Sequence, residues 1–239
     1  MGDRSQNRMR QFQLPENVDA ILNLPRRVLK DVQERNTGSR QDALNVMLAV
    51  AVEILIVSAL RVDNVASINI DEHIVEIQSR NSRIRYIILP ADMSKTTKPY
   101  EMLLPIRSCV LLDTYMTTYH PKVSGDFGKM MFPGRGGEKR NTISFSKAIA
   151  AFIERETGID MTPQLFRQLA VKINLDAHPH DIESPRLILN NTPATILASY
   201  AGPRTEQAYR RYDELLDRRL AQSTAAPVKR SKNIKKVPK

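Results

Sequence analysis

Residues 43–60 form an apolar stretch interrupted by Asn45 and Glu53, with no proline or glycine. At helical pitch, its apolar side chains fall on nearly every face. A helix that is hydrophobic all round needs burial on all sides, so everything else must be built around this one. The two polar interruptions and the polar, charged N-terminus favour a core helix over a membrane span, and no secretory signal stands ahead of it. Ser39 is placed to cap its start.

The texture on either side sets the fold class. Residues 1–14 are polar and read as a loose segment. Residues 15–36 carry Val18, Ile21, Leu22, Val28, Leu29 and Val32 at helix spacing, with Pro25 expected to break or kink the run. Beyond Arg61, short β-branched runs at 66–70, 73–78, 83–89 and 100–104 predict a small antiparallel sheet of three or four strands within 66–104. Helical patterns follow at 107–119, 143–157, 163–177, 184–190, 193–200 and 206–221. Residues 125–140 form a Gly-rich stretch that lacks the Gly-Lys-Ser/Thr ending of a nucleotide-binding loop and reads as surface loop. The class is α+β, mostly α, with one domain over 15–221 and a basic disordered tail over 222–239.

Charge suggests a polyanionic partner but does not establish one. The net charge is +10, and residues 228–239 hold six cations and no anion, leaving +4 for the rest. The single cysteine, Cys109, excludes an internal disulfide and fits a reducing cytoplasm. It lies in an apolar run and reads as a small core residue. Of the four histidines, only His178 and His180 are close, and no further ligand completes a metal set.

The chemistry-bearing pattern is an ordered set of cations ending in a tyrosine. Arg61 follows the core helix as Leu60, Arg61, Val62, Asp63, Asn64, Val65. Lys95 sits in the turn between two strands, with Lys98 as a rival. Arg167 follows Gln164, Leu165 and Phe166, and Gln168 comes next. Asn191 precedes Tyr200 by nine residues and follows Arg167 by 24. Phe132, Pro133 and Gly134 come before the second arginine, and Ala201 and Gly202 after the tyrosine. By composition alone, Tyr209 and Tyr212 are equally available.

This order resembles the catalytic domain of the tyrosine recombinase (phage integrase) family over roughly residues 15–220. The resemblance implies a helical catalytic domain that cleaves and rejoins double-stranded DNA through a 3′-phosphotyrosyl link. Tyr200 would be the nucleophile and Lys95 the general acid. Arg61 and Arg167 would grip the scissile phosphate, with Gln164 and Asn191 as residual phosphate contacts. It implies no cofactor and no metal, because the phosphotyrosine conserves the bond energy. It also implies a homo-oligomer on DNA or a partner recombinase, in a cytoplasmic setting typical of mobile elements.

The chain departs from the family pattern at three histidine positions, which are Gln164, Gln168 and Asn191. Amides donate hydrogen bonds but do not exchange protons near neutral pH. A catalytically silent DNA-binding relative of the same fold is therefore the alternative reading. Only 60 residues precede Arg61, so the separate DNA-binding domain that usually completes the family's clamp is expected to be absent or reduced.

Overall fold

The computed structural model describes residues 3–78, 83–93, 99–125, 128–190, 192–194, 196, 209 and 212–221. The chain divides into two compact units, Met1–Ser199 and Tyr200–Lys239. In the second unit, residues 212–221 are helical.

The first unit is built around α3 (Arg40–Ser58). Ser39 caps it by accepting from the Asp42 amide at 3.1 Å. Asp42 in turn accepts from Thr37 and Arg35, which holds its carboxyl below the usual range, chiefly through the Thr37 hydroxyl. Among the described residues, α3 is the one helix long and apolar enough to cross a bilayer, yet 67% of that stretch is buried within the fold. It packs against α2 (Pro15–Arg35), α4 (Val62–Ala66), α6 (Ile106–Thr114), α7 (His120–Ser124), α8 (Thr142–Thr157) and α9 (Leu165–Ala177). Glu53, a buried carboxylate midway along it, accepts from the Ser108 hydroxyl of α6. A buried carboxylate needs such a partner to offset its lost hydration.

α2 runs unbroken through Pro25, contrary to expectation. Proline removes one intrahelical bond and costs about 3 kcal/mol in a helix interior. Burial of Ile21, Leu24, Val28 and Val32 along one face outweighs that cost, at roughly 1.5–3 kcal/mol per large side chain.

The sheet has three antiparallel strands, β1 (Ile74–Gln78), β2 (Arg83–Leu89) and β3 (Tyr100–Leu103), in that order. Ile77 pairs with Ile84 and Tyr86 with Leu103. Ile87, Leu89 and Met102 face the core, while Val75, Ile77, Ile84 and Leu103 lie on the solvent face. Arg85, buried, bonds Glu76 of β1 and Asp113 of α6 and so fastens the sheet to that helix. The fold is thus α+β and mostly helical, as the sequence implies. Residues 66–70 are not a strand. They span the end of α4, an isolated bridge from Asn69 to Met130, and the start of α5 (Ile70–His73).

Two further expectations change. Residues 3–14, expected to be loose, form α1 (Asp3–Arg10) and a 3-10 turn at Gln11–Gln13, with Met9 and Phe12 buried in the core. The Gly-rich stretch is only partly a surface loop. Met131 and Phe132 are fully buried, and the Met131 amide donates to the Ile68 carbonyl at 2.9 Å. Cys109 is half-buried, with burial raising its thiol pKa.

Phe12→Ala is expected to cost about 3–5 kcal/mol in urea unfolding. A loss below about 0.5 kcal/mol, the size of a surface effect, would mean that the N-terminal segment does not belong to the core.

Candidate functional site

The candidate site assembles where two helices end. α3 stops at Ser58, and Ala59 turns into the left-handed region at φ 48°, ψ 31°. α10 (Glu183–Leu189) stops in the same way at Asn190, φ 48°, ψ 52°. Asparagine tolerates that conformation, but alanine pays roughly 1–2 kcal/mol for it.

Helix C-termini carry unpaired carbonyls and a partial negative charge. Both ends here are gripped by one side chain. Arg167, on the first turn of α9 and 7% exposed, donates from Nη1 to the Ala59 carbonyl at 2.7 Å. It donates from Nη2 to the Leu189 carbonyl at 2.9 Å. Burial and the neighbouring Arg61 charge pull its pKa down to about 10, so it remains a cation at neutral pH. Five N–H groups serve a guanidinium, and these two bonds leave others available for an anion.

Arg61 is half-buried at the N-cap of α4, in extended backbone at φ −73°, ψ 145°. Two residues on, Asp63 accepts from Thr142 at 2.6 Å and from Lys139 at 2.9 Å. The Thr142 hydroxyl is the main cause of its lowered pKa. These bonds fasten α4 to the start of α8 and so fix the turn that carries Arg61. Arg61 is thereby held near enough to Arg167 for its charge to lower the Arg167 pKa. Such a pair has a use if an anion comes between them.

Sequence reasoning did not single out Tyr100. Its hydroxyl lies 2.7 Å from the Ser58 carbonyl and 3.1 Å from the Ile188 carbonyl. Burial pushes its pKa up to about 12, and the charge of Arg167 opposes that rise. Tyr100 and Arg167 therefore bridge the same two helix ends, at adjacent carbonyls. Periodicity gives no hint of this, since Tyr100 reads simply as a strand aromatic.

The other predicted residues are distributed as follows. Gln164 is exposed at the N-cap of α9, one turn ahead of Arg167. Gln168 is half-buried, and its Oε1 is buried without a hydrogen-bond partner among the described residues. Lys95, Asn191 and Tyr200 lie outside the described residues. Among described tyrosines, Tyr100 and Tyr115 are poor nucleophiles, since burial raises both pKa values and each hydroxyl is bonded to a main-chain carbonyl. Tyr209 and Tyr212 are exposed.

A cleft of about 500 Å³ opens along β3 and α10, lined by Val57, Tyr100, Leu103, Leu187 and Ile188 among others. Among the described residues that line it, Glu101 is the one charged side chain. No group of three or more potential metal ligands occurs among the described residues.

No protein-family profile matches the sequence, and no curated protein does. Solved structures do match. One is a XerH site-specific recombinase bound to a palindromic difH substrate in a post-cleavage complex, at TM-score 0.56 and 13% identity. The match covers 80% of this chain and 52% of that one. Another is a XerA recombinase, at TM-score 0.50 and 13% identity, covering 79% of this chain and 61% of that one. The fold is that of the recombinases. This chain spans between half and two thirds of the length of those two proteins.

The clasp can be tested by pH. Tyr100 has a folded pKa above its unfolded value, so its stabilisation is complete below about pH 10 and is lost as pH rises through about 12. Absorbance at 295 nm should show one tyrosine titrating near the top of that window. In Tyr100→Phe, the fall in melting temperature across the same window should be shallower. An unchanged profile would place the Tyr100 hydroxyl outside the clasp.

Proposed function

We propose that this protein cleaves and rejoins double-stranded DNA at specific sites through a 3′-phosphotyrosyl intermediate. The observation that supports this reading most is the paired Arg61 and Arg167 at two clasped helix ends within a recombinase fold. Their spacing in the sequence from Lys95, Asn191 and Tyr200 supports it further.

In this mechanism, Arg61 and Arg167 bind the two non-bridging oxygens of the scissile phosphate. There they neutralise charge that grows in the transition state. The Tyr200 phenolic oxygen attacks phosphorus and the bond to the 5′ oxygen breaks. Lys95 gives its proton to that departing oxygen, and the tyrosine proton passes to solvent. Gln164 and Asn191 donate amide hydrogens to the phosphate and take no part in proton transfer. Resealing reverses the steps with a 5′ hydroxyl from the partner strand, and needs neither metal nor nucleotide. Strand exchange needs two DNA sites, so the working form is a homo-oligomer on DNA or a complex with a partner recombinase.

A second reading rests on the three substituted histidine positions. In it the protein binds DNA on the same fold without cleaving. Losing a positioned acid–base group slows a reaction about 10²- to 10⁴-fold, enough to silence a slow enzyme.

A pool of nicked duplexes with randomised sequence distinguishes the two. Incubation with the wild type should capture a subset covalently, seen as a shifted band on a denaturing gel. Tyr200→Phe should give none, and Lys95→Ala should form the band about 10²- to 10⁴-fold more slowly. DNA binding with no band from the wild type would favour the silent relative.

A further inference from the structure

We propose that Tyr100 is a positioning residue that frees the Arg167 guanidinium for phosphate. This rests on the DNA-cleavage reading above and names a residue through which that site is set. The argument starts from four carbonyls. Ser58 and Ala59 close α3, and Ile188 and Leu189 close α10. Ala59 and Leu189 are served by Arg167, whereas Ser58 and Ile188 share the single hydrogen of the Tyr100 hydroxyl.

Carbonyls at helix ends compete for any donor within reach, and a buried one without a partner is costly. If the hydroxyl is removed, the nearest strong donor is the guanidinium, which is close enough to Tyr100 for each to alter the other's ionisation. Arg167 would then turn further toward main-chain oxygens and present fewer N–H groups to an anion. The separation of the two helix ends would also rest on Arg167 alone, and with it the separation of Arg167 from Arg61, which follows α3 by three residues. A ring that served only to fill space would need no hydroxyl, and phenylalanine would replace it without consequence.

The test uses the duplex recovered by covalent capture, in two forms. One carries the natural phosphodiester at the scissile position. The other carries a methylphosphonate, which has lost one non-bridging oxygen and the negative charge that the arginines neutralise. With the phosphodiester, Tyr100→Phe is expected to form the adduct about 10- to 100-fold more slowly than wild type. Its DNA affinity should be unchanged. With the methylphosphonate, the gap should narrow to within about threefold, because less charge awaits neutralisation. The gap for Lys95→Ala should persist on both substrates.

An equal gap for Tyr100→Phe on both forms, or no gap on either, overturns the proposal and leaves the cleavage reading standing. So does a Tyr100→Phe protein unfolded at the assay temperature, since the hydroxyl would then serve stability. Wild-type silence on both duplexes overturns the cleavage reading, and the proposal with it.

Discussion

The donation of one buried guanidinium to two helix C-termini holds the site together. Arg167 reaches across from α9 to the Ala59 and Leu189 carbonyls. Each contact satisfies a group that a helix end leaves open, and each brings a cation to the negative end of a helix. The cost is burial of the charge, visible as a pKa pulled down to about 10. The left-handed residues Ala59 and Asn190 turn those carbonyls toward it. Arg61, three residues past the end of α3, inherits its place from the same turn.

α3 gives that turn a fixed position. A helix buried on nearly every face cannot slide or rotate without opening the core around it. Its start is set by Ser39 and by the Asp42 cluster. Its middle is tied to α6 through Glu53 and Ser108. Its end meets Tyr100 and Arg167. The turn before Arg61 and one of the two carbonyls that Arg167 grips thus follow directly from a helix held on most of its faces.

Much of this was legible in the residues because periodicity reports burial. The all-round apolar run over 43–60, the Ser39 cap, the short β-branched strands and the helices after them follow directly from pattern. What pattern missed depends on tertiary context. Pro25 was expected to break or kink α2, and the apolar face on either side of it packs well enough to carry the helix through without a break. Residues 66–70 have strand-like composition, yet Ala66 ends α4 and Ile68 is buried in the turn that follows it. Phe12 lies in a polar segment, and a single anchoring aromatic leaves no periodic trace. At the site, Arg61 and Arg167 stand out only through their spacing in an ordered set. Tyr100 gives no signal, because its role depends on two carbonyls 42 and 88 residues away in the chain. At 13% identity to the recombinases of like fold, the likeness lies in the packing, and no profile matches.

Glutamine and asparagine at the three histidine positions shift the chemical burden onto the remaining groups. In the proposed mechanism, with imidazole gone, proton transfer falls to Lys95 and solvent, while charge neutralisation falls to the arginine pair. The central claim of the proposed function is that the bond to DNA forms at Tyr200. Mass spectrometry of the tryptic peptides from a captured protein–DNA complex, after nuclease trimming, tests it most directly. The account predicts a phosphonucleotide on peptide 187–204, in which Tyr200 is the single tyrosine. The same mass added instead to a peptide bearing Tyr209 or Tyr212 would contradict it.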